Sequence, residues 1–165
     1  MPSPRLPRNL VCAIFIGTIA VFVRGQEEEG WVPFNGYLYG FFDYQATFSE
    51  AEDICVHYGG HLVSIHSDEE NEFVHSMTNP LKASNICERV WIGAKRKSRN
   101  SNKWTWTDGS AFDYSNWHKG EPNNSRGNEG CVEFFIEKTS GFPEKSWNDI
   151  PCGRYLFYFI CKIPA

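Results

Sequence analysis

The sequence predicts an α+β fold, and three observations predict it. Two helix-opening signatures, Thr47-Phe48-Ser49-Glu50 and Ser67-Asp68-Glu69-Glu70, lie in the first half of the chain. From Val90 onward, strand patterns and irregular loops replace them. Helices first and strands mostly afterwards is the order of an α+β domain, not of alternating β and α units. The length of 165 residues suits one domain with a sizeable core. An aromatic share of 16% supplies bulky rings to fill it.

The first residues stand apart from that fold. Arg5 and Arg8 give a basic start, Leu10 to Val23 is apolar, and the small residue Gly25 follows. That order reads as a secretory signal peptide over residues 1–25, which makes the mature protein secreted and extracellular. An apolar run of about 14 residues is short of the ~20 that a spanning helix needs, so no membrane span is expected in the mature chain. Removing Arg5, Arg8 and Arg24 takes the 16 basic residues to 13, against 20 acidic ones, a net charge of −7. An acidic chain of this kind argues against a nucleic-acid partner.

The elements follow in order. Residues 26–30 are a short acidic leader, and the domain runs over 31–165. Trp31 to Phe42 is aromatic, with Asn35-Gly36 as a turn between two strands. Thr47 and Glu50 form a capping box, after which Phe48, Ala51, Ile54, Cys55 and Tyr58 share one helical face and Gly59-Gly60 ends it. His61 to Ile65 reads as a short buried strand. Ser67 and Glu70 form a second capping box, with Phe73, Val74 and Met77 as the stripe and Asn79-Pro80 as the stop. Val90 to Gly93 is a strand, and Trp104 to Asp108 alternates as a half-buried strand does. Asp108 to Glu129 has no period, and long irregular loops in small domains are usually functional or disordered. Cys131 to Ile136 and Phe157 to Cys161 read as the last strands.

Oxygen ligands concentrate in two places. Glu121-Pro122-Asn123 and Glu129 precede Cys131; Asn148-Asp149 precede Cys152. If Cys131 and Cys152 are bridged, the two acidic segments are pulled side by side. The five side chains Glu121, Asn123, Glu129, Asn148 and Asp149 are all hard oxygen donors. Calcium, which takes 6–8 oxygens in flexible geometry, fits them best; zinc would want His or Cys. Two neighbouring sugar hydroxyls could complete such a coordination shell, donating to carboxylates and accepting from amides. A solvated polar loop, with its Asn and Asp serving turns, is the plainer alternative.

These motifs resemble the C-type lectin domain family, specifically its mannose-type members. Beyond the Glu-Pro-Asn and Trp147-Asn148-Asp149 motifs, Trp91-Ile92-Gly93, Trp104 to Gly109 and Tyr114 to Trp117 are similar to the family's strands and loop lead-in. The resemblance implies two helices with small antiparallel sheets and a long irregular calcium-binding loop. It implies the five residues above as Ca2+ ligands, with Glu121, Asn123, Glu129 and Asn148 also bonding the sugar. It implies glycans ending in mannose, fucose or N-acetylglucosamine. No nucleophile sits in a recognisable catalytic context, so no enzyme activity is expected. A protein- or ice-binding module without sugar binding is the alternative the same fold allows.

The cysteines leave more choice. After Cys12 goes with the leader, Cys55, Cys87, Cys131, Cys152 and Cys161 remain. Taken four at a time with three pairings each, they allow fifteen two-bridge patterns. The resemblance selects Cys55–Cys161 and Cys131–Cys152, stabilising by ~4–5 and ~3 kcal/mol in the chain-entropy model. It also implies a cis bond before Pro122. Cys87 is then unpaired, and a homo-oligomer through it is one expectation. Asn124 and Gly130 stand where many relatives carry acids for an auxiliary calcium, so a single ion is expected. Asn123-Asn124-Ser125 is a glycosylation sequon on a proposed ligand. Lys95 to Arg99 reads as a solvated basic loop. His57, His61, His66 and His75 fall on different elements with no HExxH spacing.

Overall fold

The computed structural model describes residues 30–78, 89–98, 101–137 and 143–165. The signal peptide, most of the acidic leader and Cys87 lie outside those residues. Strand β1 (Trp31–Phe34) turns into β2 (Tyr37–Ala46) through Asn35 and Gly36. Both turn residues have positive φ, 46° and 80°, which is what a two-residue hairpin of matching twist demands.

Helix α1 (Phe48–His57) opens on a complete capping box. The Glu50 amide donates to Thr47 Oγ1 at 3.4 Å, and the Glu50 carboxylate accepts from the Thr47 amide and hydroxyl at 2.8 and 2.7 Å. Those hydrogen bonds, the amide's first, hold the Glu50 carboxyl below the usual carboxylate range. Phe48, Ala51 and Cys55 are buried, with Ile54 and Tyr58 packed against them. Thr47→Ala is expected to lower stability by about 1 kcal/mol, read as a lower urea midpoint at unchanged slope.

Helix α2 (Asp68–Met77) begins differently from expectation. Ser67 Oγ accepts from the Glu70 amide at 3.1 Å, but the Glu70 carboxylate does not return to the cap. It is buried and accepts from the His66 amide at 2.7 Å, Tyr39 Oη at 2.6 Å and Lys162 Nζ at 2.6 Å. A buried lysine needs a counter-charge, and Glu70 serves that long-range partner in place of its own helix end.

The remaining strands are β3 (His61–Leu62), β4 (Arg89–Arg96), β5 (Trp104–Trp106), β6 (Cys131–Phe135), β7 (Trp147–Ile150) and β8 (Leu156–Pro164). They form one sheet of order β1-β2-β8-β4-β6-β7, with β3 on β8 and β5 on β4. All pairings are antiparallel except β4 with β8, which meet in parallel over Val90–Tyr158 and Trp91–Phe159. That short join links two antiparallel ladders. Strand β7 carries no sequence signal of its own: four residues are too few to show a period.

One core cluster gathers Tyr39, Ile92, Trp106, Phe134 and Trp147; a second gathers Phe42, Phe48, Trp91 and Phe159 beside α1. Cys55–Cys161 ties α1 to β8, and Cys131–Cys152 closes the far end of β6 and β7. The four histidines do sit on separate elements; His61 pairs with Glu52, His66 with Asp113, and His75 Nε2 meets the Ile136 carbonyl.

Candidate functional site

The long loop is irregular because its order comes from rings and not from a ladder. Trp147 on β7 is fully buried. Trp106, Phe112, Tyr114 and Trp117 surround its ring at centroid distances of 5.7, 6.4, 5.7 and 5.8 Å. The backbone completes the clamp: the Trp147 amide donates to the Asn116 carbonyl and the His118 amide to the Trp147 carbonyl, both at 2.9 Å. Trp147 Nε1 donates to Asn71 Oδ1 at 3.0 Å, which fastens β7 to α2. The chain then reaches Glu121 next to β7, and the Glu121-Pro122 bond is cis.

Cross-strand register sets what stands beside the loop. Residues Cys131 to Phe134 pair with Ile150 back to Trp147, so Val132 faces Asp149 and Glu133 faces Asn148. Asp149 is fully buried. Its Oδ1 accepts from the Asn123 amide at 2.9 Å; its Oδ2 accepts from the Asn124 amide at 3.0 Å and from Arg96 Nη2 at 2.7 Å. Glu121 accepts both N–H groups of Asn123, backbone at 3.1 Å and side chain at 2.9 Å. Glu129 Oε2 accepts from the Ser125 amide at 2.6 Å, and the Glu129 amide donates to Asn124 Oδ1 at 3.0 Å.

Four of the five expected ligands therefore share one connected constellation centred on Asp149. Asn148 has a different partner: its Nδ2 donates to Glu133 Oε1 at 2.8 Å, and Arg89 Nη1 holds both Glu133 oxygens at 3.1 and 3.2 Å. Among the described residues, no three His, Cys, Asp or Glu side chains gather into a metal-holding group. Glu121 interacts directly with Asp149, Glu129 interacts with Asp149 through charge, and amides make up the rest of the donor set.

The electrostatics favour a cation. Burial, and then the Asp149 carboxyl beside it, push the Glu121 carboxyl above its ordinary range. Burial also raises Glu129, and Asp149 adds to this; the Ser125 amide, Arg96 and Arg154 oppose it. Burial raises Glu133 against the pull of Arg89 and Asn148. A half-buried set of carboxylates whose charged forms are disfavoured is a set that a divalent ion would relieve. Hard oxygen donors on an irregular loop fit calcium.

Arg96 is the residue that sequence reasoning missed. The run from Lys95 reads as a solvated loop, but Arg96 ends β4 with a side chain only 4% exposed. Its guanidinium donates to the Glu129 carbonyl at 2.7 Å, to the Ser101 carbonyl at 2.8 Å and to Asp149, and lies 4.6 Å over the Trp104 ring. A signal was present: Ile92, Ala94 and Arg96 continue one face of the strand period, and Lys95 alternates outward.

Comparison with known proteins places the domain. Residues 44–163 match the Lectin C-type domain family. A C-type lectin mannose-binding isoform of Oxyuranus scutellatus is 36% identical over 137 residues, 81% of each chain. Among solved structures, the cow C-type carbohydrate-recognition domain of CD23, in the presence of a GlcNAc2Man3 oligosaccharide, superposes with a TM-score of 0.69 at 32% identity. That match covers 83% of this chain and 95% of the other. A calcium-independent type II antifreeze protein superposes at 0.67 with 29% identity, covering 82% and 92%. The described residues contain no helix long and apolar enough to cross a membrane. On the family match and these relatives, the chain belongs to the C-type lectin domain family.

Proposed function

We propose that this protein binds glycans of the mannose, fucose or N-acetylglucosamine type through a calcium ion held by Glu121, Asn123, Glu129, Asn148 and Asp149, as a secreted, non-catalytic recognition domain. One observation supports it above the rest: Glu121, on a loop that the core holds in place, and Asp149, on β7, both accept from the Asn123 backbone amide. Bound calcium would supply a centre that two adjacent sugar hydroxyls can coordinate. The chain's own part is recognition. Glu121 and Glu129 accept from hydroxyls, Asn123 donates to them, and the Pro122 turn fixes the spacing between the first two. The Asn123 side-chain amide donates to Glu121, which sets the two groups side by side. Glu133 takes one hydrogen of the Asn148 amide and thereby fixes the direction of the other. The name of the Oxyuranus relative and the oligosaccharide of the cow domain point to the same sugar class.

A single shallow site binds at roughly millimolar strength, about −4 kcal/mol, so several sites on one surface would be needed for tight attachment. Cys87 offers one route to such an assembly. The test is retention on a mannose resin in calcium, with release expected on adding a chelator. Retention that persists in the chelator would contradict the proposal.

The antifreeze neighbour supports a second possibility, a protein- or ice-binding module without sugar binding. The sequon points the same way. The Asn123 side chain is exposed, and a glycan on its nitrogen would remove a donor and crowd the loop. Intact mass of the secreted protein separates the two: an unmodified Asn123 fits sugar binding, and a stoichiometric glycan there sinks it.

A further inference from the structure

We infer that Arg96 is a built-in cation that holds the Glu121–Glu129 loop in its binding shape whether or not a metal ion is present. Every hydrogen bond given above for Asn123 to Glu129 stays within Glu121–Glu129 or runs to Asp149 or Arg96. Asp149 receives the amides of Asn123 and Asn124; Glu129 receives the Ser125 amide and gives its own to Asn124. Arg96 grips both ends of that arrangement, through the Asp149 carboxylate and the Glu129 carbonyl, and anchors it to Ser101. Its own amide donates to the Gly130 carbonyl at 2.9 Å, so side chain and backbone hold consecutive residues of the loop. The Trp104 face fixes the plane of the guanidinium, and a planar fork with directed donors can satisfy three acceptors that a lysine cannot reach together.

The physical consequence follows from charge. Glu121, Glu129 and Asp149 repel one another in a partly desolvated place. Without a positive group among them, the loop would relax outward in the absence of metal and would have to be ordered again on binding, which weakens affinity. Arg96 offsets that repulsion permanently. Arg96 is thus a positioning residue that acts through Asp149 and touches no sugar. What the loop is held for rests on the proposed function; the holding itself does not.

Amide hydrogen exchange tests this on the whole mature protein, in excess calcium and in a chelator. In the wild type the amides of Asn123, Asn124 and Ser125 are expected to exchange slowly in both. In Arg96→Gln they should exchange at least about 100-fold faster in the chelator, while amides of β8 stay protected, and calcium should restore them. Arg96→Lys should fall between. Wild-type loop amides that exchange freely in the chelator would overturn the inference, as would an Arg96→Gln protein with unchanged loop protection. If Arg96→Gln does not fold, the wild-type comparison and Arg96→Lys decide. Loop protection lost in Arg96→Gln and not restored by calcium leaves the inference standing and counts against the calcium site.

Discussion

Truncating Trp147 to alanine is expected to lower the unfolding free energy by about 3–5 kcal/mol, much of the 5–15 kcal/mol that a domain of this kind has. The ring is fully buried and touches four other aromatic rings, three of them on the loop between Phe112 and Trp117. Its removal leaves a void that those rings cannot all close, because some are also fixed elsewhere; Trp117, for one, is tilted against Trp104 at 4.9 Å. The same change leaves Asn71 Oδ1 without the indole donor on the far side. Urea unfolding measures the loss. Trp147→Phe keeps a ring but not the N–H, so the Asn71 share, about 1–3 kcal/mol for an unpaired buried group, can be read separately. A loss under about 1 kcal/mol for the alanine variant would mean that the backbone bonds to Asn116 and His118 hold the loop unaided.

Local chemistry made much of this fold legible in the sequence. The Asn35-Gly36 hairpin, the Thr47–Glu50 box and the apolar faces of both helices each depend on residues within a few positions of one another, and the structure has all of them. The oxygen-rich segments were legible for the same reason. What escaped depends on partners far along the chain. Glu70 looks like a capping residue until Lys162, 92 positions away, takes its carboxylate. Asn148 looks free until register sets it across from Glu133. Arg96 looks like one charge in a basic run until β4 turns it inward to meet Asp149, 53 positions on. A period of two was there to be followed, but residue type outweighed it: arginine is seldom fully buried unless paired, and the pair was not visible locally.

Asp149 and Glu121 should respond to neutralisation in opposite ways, and the contrast separates holding the loop from holding a ligand. Asp149→Asn keeps the shape but removes the counter-charge of Arg96, with both side chains almost wholly out of solvent. One side-chain oxygen becomes an N–H facing either the Asn123 amide or the Arg96 and Asn124 donors. Breaking a buried pair from one side typically costs about 3–5 kcal/mol, and a loss near the lower figure is expected because two carbonyls still hold Arg96. That loss should appear in the presence of a chelator, before any ion is involved. Glu121→Gln takes away a charge that burial and Asp149 already disfavour, so stability in the chelator should stay level or rise slightly. The two variants converge when calcium is added. Wild type should gain about 2.7 kcal/mol at a concentration 100 times its dissociation constant, seen as a higher melting temperature, and neither variant should gain it. A Glu121→Gln protein that still melts higher in calcium would remove Glu121 from the ligand set. An Asp149→Asn protein as stable as wild type in the chelator would show that the Arg96 pair contributes nothing to the fold.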